Sequence, residues 1–178
     1  SAPILPGINH VMALNLLNYF NTFSGCHAGV GGVETDCRGA ETEAEFERQS
    51  AKLVAAILAV DADVVAVTEL ENDGYGSESA IQTLVEHLNA ATFTGRYAFV
   101  DADAATSQVN ALGLDAIKVG LLYQSARVQP VGQTAVLNTL EFINGGDSVA
   151  RNRASLLQAF ENLAGARFGY SVAGAGDV

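Results

Sequence analysis

Residues 64–70 constrain this chain most. Val64-Val65-Ala66-Val67 carries an apolar side chain at every position, and Thr68-Glu69-Leu70 closes the run. Alternation suits a strand with one wet face, whereas a short unbroken run suits a strand covered on both. The chain must therefore supply cover for two faces. One cover is a helix opened by a capping box at Thr42 and Glu45, with Phe46, Leu53, Ile57 and Val60 at helical spacing. The turn Asp61-Ala62-Asp63 joins it to the strand. A second helix spans about Ser79–Asn89, with Ile81, Leu84, Val85 and Leu88 on one face.

Strands complete the pattern. His10–Leu17 places Val11, Ala13, Asn15 and Leu17 on one face and Met12, Leu14 and Leu16 on the other. Further strands are expected at Arg96–Val100, Ile117–Tyr123, Val128–Thr134, Ser155–Phe160 and Phe168–Val172. Residues 21–40 and Ala102–Gly113 read as loops, and Asn144-Gly145-Gly146-Asp147 and Ala164-Gly165 as turns. Strand, helix, strand, helix and then several strands is the order of an α/β sandwich. With 178 residues and no repeat or linker, the chain is read as one unit over residues 1–178.

Composition excludes some classes. Nearly half the residues are apolar and 16% are charged, so the chain is not disordered. The runs Leu53–Val60 and Val64–Val67 are far short of the roughly 20 residues that span a bilayer, and no membrane partner is expected. No charged segment with a cleavage site opens the sequence, so a signal peptide is expected to have been removed or left out. Twenty acidic and nine basic residues give a net charge of -11. Taken alone, that opposes a nucleic-acid partner. It suits either a plain acidic soluble protein or a secreted one in salty water, where self-repulsion is screened.

Cys26 and Cys37 flank a glycine-rich loop and are the only cysteines. They lack the partners of a zinc site and the Cys-x-x-Cys spacing of a redox pair. A disulfide is the simplest reading, worth up to ~3 kcal/mol and implying an oxidising compartment. Two free buried thiols in a cytosolic protein are the alternative.

Two residues clash with their surroundings. Asn15 interrupts an apolar strand, where a buried amide needs its hydrogen bonds met. Glu69 closes the apolar run at the strand's C-terminal end, where ligands bind in open α/β sheets. The bland readings are a satisfied core amide and a solvated strand end. Their context points elsewhere. Leu14-Asn15-Leu16-Leu17-Asn18-Tyr19-Phe20 resembles the first motif of the endonuclease/exonuclease/phosphatase superfamily. Asp63-Val64-Val65-Ala66-Val67-Thr68-Glu69-Leu70-Glu71-Asn72 resembles its second. Cys37-Arg38-Gly39-Ala40, Glu45-Phe46-Glu47-Arg48-Gln49, Lys52 and Gly113-Leu114-Asp115-Ala116-Ile117 are similar to the bacterial extracellular nuclease branch. The resemblance runs from about residue 10 to 160.

The resemblance implies a two-layer β-sandwich flanked by helices (DNase I-like), of which this chain holds about the N-terminal half to two thirds. It implies that Glu69 coordinates Mg²⁺ or Mn²⁺, with Asn15 beside it on the metal's water shell or the scissile phosphate. Asp115 takes the place of an acid that orients a catalytic His, and Asn18 and Arg153 approach the substrate. Glu71 and Asn72 are placed as support for Glu69. His10, His27 and His87 match no catalytic His, and His87 is expected at the surface of its helix. The implied chemistry is phosphodiester hydrolysis by a metal-activated water, on nucleic acid and on DNA ahead of RNA, by a secreted bacterial protein. The sequence departs from the pattern after Val172, where the family's Asn-His and later motifs are missing. The general base is therefore expected outside the chain, turnover is expected to be low, and an uncovered sheet face is expected to favour self-association. A phosphomonoesterase or phospholipid phosphodiesterase of the same superfamily, and a non-catalytic remnant or binding domain, are the competing readings.

Overall fold

The computed structural model describes residues 9–145, 152–162 and 167–175, the last strand by its backbone and Val172 alone. In chain order the elements are β1 (Val11–Tyr19), α1 (Glu43–Val60), β2 (Val64–Glu71), α2 (Ala80–Ala90), β3 (Tyr97–Phe99) and α3 (Ala102–Thr106). Then follow β4 (Ile117–Gln124), β5 (Val128–Leu137), α4 (Leu140–Asn144), β6 (Asn152–Asn162) and β7 (Arg167–Ala175).

One sheet has the order β1-β2-β4-β3, with β1 and β2 parallel and joined by the α1 crossover, and the other two pairs antiparallel. The second sheet is an antiparallel β5-β6-β7 ladder. Two apolar cores explain the unbroken run in β2. Val65 and Val67 pack with Phe46, Ile57, Ile81 and Leu84 of the helices. Val64 and Ala66 pack with Leu156, Phe160 and Val172 of the second sheet. The order of layers is helices, sheet, sheet, as the α/β sandwich reading requires.

β1 lies at the edge of the first sheet. In register Val11 faces Val64, Ala13 faces Ala66 and Asn15 faces Thr68, so these residues lie on the side of the second sheet. Val11, Ala13 and Asn15 are nevertheless exposed, while Met12 and Leu14 pack on the helix-side core. Asn15 is thus not the buried amide that its strand suggested. The apolar cover stops short of β1.

The helix signals hold in part. Thr42 caps α1 by accepting from the Glu45 amide at 3.3 Å, and the Glu45 carboxylate accepts from the Glu41 amide at 3.0 Å, one residue upstream of the usual box. Val60 does not join the buried face: it is 40% exposed at the helix end. Ser79, expected as the first residue of the second helix, is instead the N-cap of α2. The expected loop Ala102–Gly113 contains α3, five residues long and too short to show a period. The Asp103 carboxylate accepts from the amides of Asn110 and Ala111, both at 2.9 Å. The expected turn at residues 144–147 begins where α4 ends. Gly146 and Asp147, like the Ala164-Gly165 turn, lie outside the described residues.

Asp61-Ala62-Asp63 is more than a turn. Asp61 ends α1 in the left-handed region, and its carboxylate meets Arg96 at 2.6 Å and Arg127 at 2.7 Å. Burial pushes its carboxyl up, but hydrogen bonds from Arg127 and Gln124 and the charges of Arg127 and Arg96 outweigh that, and it titrates below the usual carboxylate range. A depressed carboxylate adds stability that is complete above the unfolded pKa and lost as pH falls through the folded one. Asp61→Ala should lower stability by about 1 kcal/mol at neutral pH, less in high salt, and by nothing once acid has protonated the wild-type group. Urea unfolding of both proteins from pH 7 down to pH 2 checks this. A difference that grows towards acid would contradict it.

Candidate active site

At the C-terminal end of β2 the ladder breaks on both sides. Against β1, the register jumps from Asn15 facing Thr68 to Tyr19 facing Leu70. Against β4, it jumps from Val67 facing Gly120 to Leu70 facing Lys118. Extra residues in a ladder bend the strand and re-aim side chains. Here the bends put Leu17, Asn18 and Glu69 in the left-handed region, at φ 58, 53 and 58 degrees. Such conformations in non-glycine residues cost roughly 1–3 kcal/mol each and persist only where the surroundings impose them.

The surroundings do impose them. Asn15 Nδ2 donates to Glu69 Oε1 at 2.7 Å, and the Asn18 amide donates to Glu69 Oε2 at 3.1 Å. The Leu17 amide donates to Asn15 Oδ1 at 2.7 Å, which fixes which end of that amide faces the carboxylate. Gln49 of α1 spans the bulge, its Nε2 donating to Leu16 O at 2.8 Å and to Leu17 O at 2.9 Å. Gly39 lies against the other side of the bulge. A Cβ there would come 2.0 Å from the Asn18 carbonyl oxygen, so only glycine fits. Asn15 and Glu69, 54 residues apart in the chain, thus meet on adjacent strands.

The donors available to a cation at this point are all oxygens, as Mg²⁺ and Mn²⁺ prefer. Glu69 offers a half-buried carboxylate, and Asn18 Oδ1 is buried without a hydrogen-bond partner. Asn15 turns its nitrogen to Glu69, so only the second lone pair of its oxygen is left for a ligand. Among the described residues no group of three His, Cys, Asp or Glu side chains forms a metal site. A cation held by Glu69 would take its remaining ligands from water and substrate oxygens.

Asp115 and Arg153 come together, Arg153 Nε lying 3.3 Å from Asp115 Oδ2. The structure thus gives Asp115 an arginine partner where the resemblance implied a histidine. Asn72 ties this segment to the end of β2 by donating to the carbonyls of Gly113 at 3.0 Å and Asp115 at 2.9 Å. Glu71, expected beside Glu69, faces the other way and accepts from the amides of Asn21 at 3.0 Å and Thr22 at 3.2 Å. Burial, and then the charge of Asp73, push the Glu71 carboxyl up to about 7.

His87 is not a plain surface residue. Its Nδ1 lies 2.6 Å from Ser50 Oγ, which lies 3.0 Å from the buried Tyr19 hydroxyl. This chain pins α1 and α2 to β1. His10 engages the Asp63 carboxylate through its backbone amide at 2.8 Å, and His27 pairs with Glu34 in an isolated bridge. Sequence reasoning missed Lys118, which is buried in β4. Its ammonium donates to Gly74 O and sits 4.1 Å from the centre of the Tyr75 ring. Burial pushes it down to about 8, against the charge of Asp73. A lysine amid Ile117-Lys118-Val119-Gly120-Leu121 was as discordant as Asn15 and could have been found the same way.

Cys26 and Cys37 form a disulfide with Cα atoms 5.2 Å apart. Asn110 holds the tip of the loop they close: the Val30 amide donates to its Oδ1 at 2.8 Å, and its Nδ2 donates to Val30 O at 2.9 Å. Among the described residues no helix is long and apolar enough to cross a membrane.

A sandwich of two sheets backed by helices, with one carboxylate gripped by an asparagine at the C-terminal end of an inner strand, defines a DNase I-like α/β architecture. The chain has the fold of the endonuclease/exonuclease/phosphatase superfamily. An endonuclease/exonuclease/phosphatase family protein from Bacteroides thetaiotaomicron superposes with a TM-score of 0.53 at 11% identity, over 93% of this chain and 49% of that one. The human Nocturnin catalytic domain with bound sulfate superposes with a TM-score of 0.51 at 16% identity, over 93% and 48%. A mannosyl-6-phosphatase of Bacteroides thetaiotaomicron gives 0.52 at 12% identity, over 93% and 51%. This chain therefore spans about half the length of these relatives. No family model and no curated protein matches its sequence.

Two outcomes test this geometry. Mass spectrometry under non-reducing conditions should find no free thiol, and reduction should lower stability by up to ~3 kcal/mol. Two alkylatable cysteines in the folded protein would contradict the bridge. Gln49→Ala should cost about 1–2 kcal/mol, because two carbonyls lose their donor, and should speed hydrogen exchange at the Leu17 and Asn18 amides ahead of the rest of β1. Unchanged exchange there would show that Gln49 does not hold the bulge.

Proposed function

We propose that this chain carries the metal-binding half of a secreted, Mg²⁺- or Mn²⁺-dependent phosphodiesterase that acts on nucleic acid. The observation that carries the reading is the Glu69 carboxylate, set between two ladder breaks and oriented by Asn15 and the Asn18 amide. Strain spent on aiming one carboxylate at a strand end is hard to explain by stability alone. The architecture supports phosphoester chemistry, since its relatives include a mannosyl-6-phosphatase. The disulfide supports an oxidising compartment.

Bound there, a divalent cation would supply charge for the phosphate and a more acidic water. The chain's own residues do the positioning. Glu69 holds the cation, Asn15 fixes the carboxylate, and Asn18 Oδ1 offers a further oxygen. Arg153 is shaped for a phosphate, and reaching one requires it to exchange its contact with Asp115. Among the described residues, no histidine is bonded to Glu69 or Asn15, so proton transfer lacks a group worth typically 10²–10⁴-fold.

The 178-residue chain should therefore bind Mn²⁺ weakly and turn over slowly or not at all. Water-proton relaxation with Mn²⁺ measures the first, and release of nitrophenol from bis-p-nitrophenyl phosphate the second. Glu69→Gln should abolish Mn²⁺ binding with the fold intact by circular dichroism, and Asn15→Ala should weaken it. Binding that survives Glu69→Gln would overturn the proposal. Fast cleavage independent of Glu69 would do the same. DNA and RNA oligonucleotides and a phosphomonoester, tried with the same metal, separate the nuclease reading from a phosphatase one.

A further inference from the structure

A groove of about 680 Å³ runs between α1 and the bulge of β1, lined by Leu17, Arg48, Gln49 and Lys52 among others. Glu69 does not line it, but Leu17 does, and the amide of the next residue, Asn18, donates to the Glu69 carboxylate. Most described cations are engaged elsewhere. Arg96 and Arg127 are on Asp61, Lys118 is buried beside Asp73 and Arg153 is on Asp115. The two in the groove are different. Lys52 has no hydrogen bond or ion pair among the described residues, and Arg48 has only a loose contact to Glu45 at 3.9 Å between exposed side chains. In a chain of net charge -11, two exposed cations with so little to hold them are conspicuous. They stand four residues apart on one helix, on the same face and roughly 6 Å apart along its axis. That separation is comparable to that of neighbouring phosphates in a nucleic-acid strand.

Leu17 is the second observation. It is 70% exposed, and its backbone is held in the left-handed region by Gln49 and Asn15. A bulky apolar side chain fixed in a strained conformation and turned to water gains nothing for the core. Two carboxylates, Glu41 and Glu45, also line the groove. Glu45 Oε2 already accepts from the Glu41 amide, so Arg48 is the side chain that must exchange a partner on binding.

We infer that this groove holds a nucleic-acid strand on its way to Glu69, with Arg48 and Lys52 on successive phosphates and Leu17 against a sugar or base. The inference deepens the proposed function and rests on its placing of the reaction centre at Glu69. It sets the substrate class as a polymer carrying several phosphates. A small phosphomonoester would reach Glu69 without touching α1.

The test is fluorescence anisotropy of a labelled twelve-nucleotide single strand titrated with the 178-residue chain over a range of salt. For single strands the slope of log K against log salt is about -0.7 per phosphate contact. Arg48→Ala/Lys52→Ala should therefore weaken binding and flatten the slope by about 1.4. Leu17→Ser should weaken it about fivefold at every salt with the slope unchanged. Arg127→Ala, which removes a cation at the other end of the sheet, should leave binding as it was. Thymidine monophosphate should compete no better against the double variant than against the wild type. A wild-type chain that does not bind the strand at low salt would overturn the inference. An unchanged slope in the double variant, or an equal loss in Arg127→Ala, would overturn it too. Mn²⁺ binding and its loss in Glu69→Gln are read separately, so a failed groove is distinguishable from a failed reaction centre.

Discussion

β2 has no wet face along its first half. Val65 and Val67 enter the helix-side core, Val64 and Ala66 enter the core between the sheets, and β1 and β4 take its backbone hydrogen bonds on either edge. A strand enclosed in this way can present a polar side chain only where the enclosure ends. Glu69 stands at that point, and the two register breaks there let its carboxylate leave the pleat without exposing the valines behind it. The rest of the site follows from this enclosure. Asn15 must come from the parallel neighbour at the same level, and the Asn18 amide is free to donate only because β1 bulges opposite Glu69.

The bulge is held from three directions. Gln49 reaches from α1, Gly39 packs from the loop after the disulfide, and Glu69 accepts from across the ladder. Three left-handed residues at one end of a strand pair would relax without outside support. They persist because α1, the cystine loop and β2 each fix a different backbone group. The helix that covers the core therefore also sets the aim of the carboxylate, and one of its faces carries Arg48 and Lys52 alongside Gln49.

Charge is distributed with the same division. At the N-terminal end of β2, Arg96 is tied to Asp61 and Arg127 to Asp61 and Asp63, which holds the end of α1 against the strands beside it. Inside, Lys118 sits in a cage of Gly74, Tyr75 and Asp73 beside the buried Glu71. Near the bulge at the other end lie Asn18 Oδ1, buried without a hydrogen-bond partner, and the loosely held Arg48.

Local pattern is a property of neighbouring residues, and the sequence by itself determined what depends on it. The apolar run of β2, the cap Thr42, the strand phase of β1 and the discordant Asn15 and Glu69 were all legible, and the closeness of the two cysteines made their bridge the simplest reading. Short elements were not legible, because the five residues of α3 and of α4 complete barely more than one turn and are set by contacts such as Asp103 with the Asn110 amide. Tertiary structure alone decided that Asn15 is exposed, that His87 joins Ser50 and Tyr19, that Glu71 turns away from Glu69, and that Asp115 pairs with Arg153. Each of these depends on contacts between elements far apart in the chain: the reach of the second sheet over β1, the packing of α1 on α2, and the bends at the end of β2. Neighbouring residues do not show whether a ladder carries extra residues: the bulge of β1 is held by the packing of α1 and the cystine loop, far along the chain from the strand they bend.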